Sequence, residues 1–243
     1  MTESLEKVRQ HYDDVADIYD NRYNRNRGRF YYAHIAGQVM DCIPPSSRIL
    51  DLGCGTGLFL NAYERRGGSG VGLDLSRGMV LRAQSRCLKS EVTMGNAEVL
   101  PFRDGSFDAV TSLLAFSYVR RPDQMLSEAC RVLRPGGVIA ICTLGRNLFT
   151  SGLPAIYSMA EAMKVRRIGM GSFGERYYDD SEMQDLLESA GFDEVQVRRC
   201  SFAHLNLADP FFGIARKIEP FVEERVPRLA YNLLARGVKQ DGI

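Results

Sequence analysis

The stretch Ile49–Gly57, ILDLGCGTG, decides how this chain reads. RILDL (48–52) is a short apolar run with strand character. It runs directly into glycines at alternate positions, and then into the helical pattern LFLNAYERR (58–66). Glycine permits tight turning and close backbone approach to a ligand. In open parallel sheets, ligands bind beyond the carboxyl ends of the strands. Gly53-Cys54-Gly55-Thr56-Gly57 is therefore expected to be a ligand-binding loop between a strand and a helix.

The pattern outward from this loop is regular. GVGLDL (70–75) reads as a second strand, and Ser76 is a good N-cap for a helix through Arg86. EVTMG (91–95) and FDAVTSLLA (107–115) read as strands. PDQMLSEACRVLR (122–134) is an amphipathic helix stopped by Pro135-Gly136-Gly137, and VIAICTL (138–144) is a fifth strand. Strands alternating with helices over short links imply a parallel sheet covered on both faces. Upstream, helical spacing recurs on both sides of NRYNRNRGR (21–29), which reads as a polar, basic loop. Downstream, a connection over 145–178 is expected to hold a helix at 154–165. A helix over 180–192, capped by Asp180 or Ser181 and closed by Gly191, leads to a strand at 193–199. Residues 208–225 read as helical and 229–239 as the last strand. The expected fold is α/β, with a Rossmann-like seven-stranded mostly parallel sheet, helices on both faces, and helical N-terminal and inserted cap segments. The whole chain, 1–243, is expected to be one domain. Its cofactor core would span 44–144, with a cap at 1–43 and acceptor-site insertions at 145–178 and 200–228.

Bulk properties exclude several classes. The 243 residues carry 31 Lys+Arg against 30 Asp+Glu, so no net field draws the chain to nucleic acid. The six cysteines form no C-x-x-C pair, and no histidine stands at zinc spacing, so no metal is expected and the thiols read as small apolar side chains. The charged start, MTESLEKVRQHYDD, does not resemble a signal peptide, and no run reaches the ~20 apolar residues that cross a bilayer. A cytoplasmic protein is expected. Its oligomeric state is open, with a homodimer compatible.

Three details refine the ligand. The spacing is G-x-G-x-G, without the G-x-x-G ending of the dinucleotide fingerprint. Asp51 precedes the first glycine by two residues. A carboxylate there would repel a pyrophosphate and suits an ammonium group, such as the methionine end of S-adenosyl-L-methionine. Asp74 ends the second strand, where an acid accepts the hydroxyls of a ribose. That last feature supports nucleoside binding without separating S-adenosylmethionine from NAD.

With these segments in order, the chain resembles the class I S-adenosylmethionine-dependent methyltransferase superfamily, and most closely the branch holding the ubiquinone/menaquinone and other small-molecule methyltransferases. The likeness runs from Ile49 to about Phe192. It is carried by ILDLGCGTG, GLDLSRGM (72–79), GNAEVLPFRDGSFDAV (95–110), RVLRPGG (131–137) and YYDDSEMQDLLESAGF (177–192). One feature departs: where quinone enzymes end the strand after the R-V-L-x-P-G-G corner in an acid, this chain has VIAICTLG.

The resemblance implies S-adenosyl-L-methionine as cofactor. Asp51, Gly53, Cys54, Gly55 and Thr56 would surround its methionine portion, with Cys54 a small filler. Asp74 would hold the ribose, and Leu75, Met79, Asn96 and Ala97 the adenine. Leu113 and Leu114, with Ala115, would line the sulfonium side. HYDDVADIYD (11–20) resembles the helix that folds over the cofactor in relatives, which would bring Tyr19 near the methyl donor. A general base is needed only if the acceptor must lose a proton. His34, Tyr177 and His204 are the candidates, and none stands in a motif. The expected acceptor is a small apolar or aromatic molecule bound by aromatic residues of the cap segments, among them Phe30, Tyr31, Tyr32, Phe211 and Phe212. Gly169, Gly171 and Gly174 suggest a lid. The alternatives are a tRNA-type methyltransferase using Arg22, Arg25, Arg27, Arg29, Lys164, Arg166 and Arg167, and a non-catalytic cofactor-binding protein.

Overall fold

Strand β1 (Arg48–Leu52) lies near the centre of a seven-stranded sheet. Its neighbours are β2 (Ser69–Asp74) and β4 (Phe107–Leu113), both parallel to it. Strand β3 (Glu91–Met94) extends the sheet beyond β2, and β5 (Leu133–Leu144) extends it beyond β4. Last come β7 (Asn232–Lys239) and β6 (Phe192–Cys200), in the order β3-β2-β1-β4-β5-β7-β6. β7 runs antiparallel to both of its neighbours, β5 and β6. This computed structural model describes residues 3–147, 175–204 and 209–240. The expected α/β sheet is the one observed.

The sheet is apolar on both faces because helices cover both. Ile49 packs with Phe59, Leu60, Val80 and Ala83 on one side, while the next residue, Leu50, packs with Leu126, Ala129, Met183 and Leu187 on the other. The first layer is built by α3 (Asn26–Met40), α4 (Leu58–Arg65) and α5 (Arg77–Arg86); the second by α6 (Pro122–Val132) and α7 (Asp180–Ser189). Helix α1 (Glu3–Val15) and the single turn α2 (Asn21–Asn24) precede α3, and α8 (Asp209–Arg225) precedes β7.

Several local expectations change. The 21–29 segment is mostly helix: α2 and α3 meet at Arg25, and Gly28 sits so close to the Arg22 carbonyl that a Cβ there would lie 1.8 Å from it. Burial of Tyr23 and Tyr31 outweighs the polar composition of this stretch. Helix α6 ends at Val132, and β5 already begins at Leu133, so Pro135-Gly136-Gly137 lies within the strand and not beyond a longer helix. The N-cap of α7 is Asp179, whose carboxylate accepts from the Glu182 amide at 3.0 Å, and not Asp180 or Ser181. Gly191, at φ +92°, closes that helix as expected. The helix expected at 154–165 and the glycines of the expected lid lie outside the described residues.

Candidate functional site

The strand order reverses between β1 and β4, which opens a crevice at the carboxyl edge of a doubly wound sheet. A cleft of about 850 Å³, its open mouth included, lies there. Its floor is Leu52 and Gly53 at the end of β1, Leu73 to Ser76 at the end of β2, Gly95 to Glu98 after β3, and Leu113 to Ala115 at the end of β4.

The glycine loop is shaped for close approach. Gly53, Gly55 and Gly57 have φ of +72°, +53° and +77°, a region that L side chains rarely adopt. A Cβ on Gly53 would lie 2.2 Å from the Ala115 Cβ, so the loops after β1 and β4 touch only because this position has no side chain. A Cβ on Gly55 would meet no atom within 4 Å, which leaves open space along the backbone where a ligand can lie. Leu114 also has a left-handed backbone, φ +62°, held by its amide hydrogen bond to the Cys142 carbonyl at 2.7 Å. Such strain persists where surrounding structure enforces it, often at a functional site.

Asp74 organises the loop. Its Oδ2 accepts from the Gly55 amide at 2.8 Å and its Oδ1 from the Ser76 amide at 2.9 Å. Burial raises its pKa against the pull of these amides. A carboxylate offers about four acceptor positions, so both oxygens can still take hydroxyl donors. Asp51 lies deeper, 1% exposed, with Thr111 Oγ1 donating to it at 2.9 Å. Burial, with a smaller contribution from Asp74, pushes its pKa up to about 7 despite that hydrogen bond. Asn96 turns its Oδ1 to the Glu98 amide at 2.9 Å, which leaves its NH₂ group and one lone pair of the oxygen for a ligand. Asp74 and Asn96, both on the cleft, fit a cofactor with a ribose and a purine, and Asp51 lies behind the glycine loop.

The expected residues divide. Tyr19, Gly53, Gly55, Asp74, Leu75, Met79, Asn96, Ala97, Leu113 and Leu114 line the cleft. Asp51, Cys54 and Thr56 do not. Cys54 packs in the core, where a Cβ on Gly72 would meet its sulfur at 2.8 Å. Thr56 Oγ1 donates to Asp20 at 2.6 Å and receives Arg86 Nη1 at 2.8 Å. The three general-base candidates stand apart from the cleft. His34 faces Glu219 and Glu223 on α8. His204 lies between the rings of Tyr31 and Tyr231, 5.0 and 4.8 Å away, and burial lowers its pKa to about 4. The Tyr177 carbonyl accepts from Arg146 Nη2 at 3.0 Å.

The cleft's roof comes from α1, which contributes Leu5, Val8, Arg9 and Tyr12. Its ring Tyr12 meets Tyr118 edge-on at 5.7 Å and Tyr19 at 6.1 Å. Tyr118 Oη in turn donates to Glu175 at 2.9 Å. Burial raises the pKa of Tyr12, Tyr19 and Tyr118 well above the phenol value, so this wall is neutral. Tyr12 and Tyr118 carry no motif that marks them; only the helix pattern of HYDDVADIYD pointed toward the roof.

Comparison with known proteins agrees with this geometry. A family model described as a methyltransferase domain matches residues 50–141. A demethylmenaquinone methyltransferase of Streptomyces avermitilis is 34% identical over 206 residues, 79% of this chain and 88% of that protein. The one from Renibacterium salmoninarum is 29% identical over 210 residues, 79% of this chain and 86% of its own. Among solved structures, a SAM-dependent methyltransferase of Thermotoga maritima superposes with a TM-score of 0.70 at 22% identity, covering 96% of this chain and all of that one (100%). The chain belongs to the class I methyltransferase superfamily and is an enzyme whose cofactor is S-adenosyl-L-methionine.

Proposed function

We propose that this enzyme methylates a small apolar or aromatic molecule by in-line displacement. The observation that carries this reading is the neutral wall of Tyr12, Tyr19, Tyr118 and Leu114 along the cleft. The cofactor, when bound, supplies an activated methyl group on a sulfonium. The protein's own work is alignment and exclusion of water. Asp74 would hold the ribose hydroxyls, Leu75, Met79, Asn96 and Ala97 the adenine, and Asp51 the ammonium end through the glycine loop. Charge disperses as a sulfonium is neutralised, so a dry tyrosine-lined site does not oppose transfer.

On this reading the chain is a single domain with a core over 44–144, a cap over 1–43 and acceptor-site segments at 145–178 and 200–228. The relatives named above for demethylmenaquinone support a small acceptor. The end of β5, Leu144-Gly145, lacks the acid expected of quinone enzymes, which argues for another acceptor. The basic stretch is poorly suited to RNA: the Arg22 guanidinium lies over the Tyr19 and Tyr23 rings, 5.0 and 5.8 Å from their centroids. Among the described residues no helix is long and apolar enough to cross a membrane.

The test is a screen with methyl-labelled cofactor against phenols, quinols, amines and bulk tRNA, read by mass spectrometry. Label in a small apolar acceptor supports the proposal. Label in tRNA alone ends it.

A further inference from the structure

The strongest feature outside the cleft is a polar cluster where α3 meets α8. His34 Nε2 lies 2.8 Å from Glu223 Oε1 and 3.9 Å from Glu219 Oε1. One donor atom from each of these three residues lies within 4.8 Å of the others. Gln38, one turn along α3, brings its Nε2 to 2.8 Å from His34 Nε2 and 3.2 Å from Glu223 Oε2.

No placement of protons satisfies these contacts while Glu223 is ionised. An imidazole nitrogen either donates or accepts. If His34 Nε2 donates to Glu223, the Gln38 NH₂ confronts an N–H. If it accepts from Gln38, Glu223 Oε1 faces a bare lone pair. Turning the Gln38 amide over relieves the first clash but sets its oxygen against Glu223 Oε2. At the far end of the same amide, Gln38 Oε1 is buried with no partner among the described residues. A second orphan adjoins the cluster. Ser201 is fully buried (0% exposed), donates its amide to Glu223 Oε1 at 2.6 Å, and has no partner for its hydroxyl. Buried polar groups without partners call for an explanation such as an ion.

We infer that His34, Glu219 and Glu223, with the Gln38 amide oxygen turned inward, form a binding site for one divalent cation of the zinc type. One imidazole nitrogen with carboxylate and amide oxygens is a donor set such ions accept. A cation converts the opposed lone pairs into ligand bonds. The cation would join α3 of the N-terminal region to α8 across 185 residues of sequence, the separation of Gln38 and Glu223. Its position away from the cleft makes it a structural clamp, independent of the acceptor's identity.

The test adds Zn²⁺ to the chelator-treated full chain and follows binding by calorimetry and melting temperature. One equivalent should bind and raise the melting temperature. His34→Ala and Glu223→Gln should each weaken binding at least about tenfold, the usual scale for disturbing a metal site. Gln38→Glu, which supplies a third carboxylate, should tighten it. Absence of saturable binding overturns the site, and so does an affinity unchanged in His34→Ala and Glu223→Gln. If those two variants fail to fold, Gln38→Glu decides: an affinity no tighter than that of the unaltered protein overturns the inference.

Discussion

Asp13 of α1 accepts a hydrogen bond from Ser76 at 2.6 Å, so the roof of the cleft is fastened to the very residue that caps α5 on its floor. The same Asp13 oxygen receives the Gly78 amide at 2.9 Å. Beside it, Asp17 pairs with Arg82 and Asp20 with Arg86. Opening the roof therefore means breaking a specific set of contacts to α5. Asp13→Ala should speed cofactor release and weaken affinity by about 3–10-fold, as expected for losing one or two hydrogen bonds that hold a lid. Stopped-flow displacement of the bound cofactor checks it; an unchanged release rate refutes the fastening.

Asp74 supports Gly55 and Ser76 from within, and in the proposed role it also accepts a ribose from without. Asp74→Ala should weaken cofactor binding by about 100-fold or more, since hydrogen bonds to a charged group contribute roughly 1.5–3 kcal/mol each. Calorimetry on the folded variant reads this directly.

In its proposed role at the ammonium end, Asp51 gives the cofactor affinity a pH dependence. In the ligand-free protein its pKa is about 7, because burial disfavours the carboxylate. An ammonium group needs the ionised form. Affinity should therefore fall as pH drops below 7, approaching tenfold per pH unit, and level off above 8. The sign for stability is opposite. Between the unfolded value and about 7 the folded state holds the extra proton, so the ligand-free protein loses stability from this group as pH rises. Asp51→Asn should flatten both profiles, measured as dissociation constant and melting temperature against pH.

The two glycines of the loop should fail in different ways. Gly53→Ala puts a Cβ 2.2 Å from Ala115 and should lower the melting temperature sharply. Gly55→Ala has room in the ligand-free protein. It should cost only about 1–2 kcal/mol for the left-handed backbone, yet abolish cofactor binding. Equal stability losses in the two variants would contradict this division.

Glu64 tests a purely structural carboxylate. It accepts from the amides of Leu88, Lys89 and Ser90 at 3.0, 2.9 and 2.8 Å. Burial raises its pKa, but these amides outweigh that and hold it below the ordinary glutamate value. Its contribution is present above that ordinary value and is lost as pH falls through the lower folded one. Glu64→Ala should destabilise by about 1–3 kcal/mol at neutral pH, with the difference shrinking in acid, read by urea denaturation.

Much of the fold was legible in the sequence because it rests on short-range patterns. Apolar runs of strand length, helices of period 3.6 and glycines at strand ends are local, and seven strands with their order of types could be read from them. The loop Ile49–Gly57, Asp74 and Asn96-Ala97 were legible for the same reason: each follows directly on its strand. One misreading came where a distant partner overrode a local signal, and another from a choice among adjacent capping residues. The polar 21–29 stretch became helix because Tyr23 and Tyr31 are buried by the rest of the chain. Asp179 took the cap from Asp180 and Ser181 because its extended backbone turns the carboxylate onto the Glu182 amide.

By itself, then, the sequence determined the sheet, the glycine loop after β1 and the acids beside it. Tertiary structure alone decided that α1 roofs the cleft through Asp13 and Ser76, that Tyr12 and Tyr118 form its wall, and that His34 meets Glu219 and Glu223. The physical reason is separation. Spacing along the chain reports which residues share one face of one element, but the meeting of faces 63 or 189 residues apart is set by how whole elements pack.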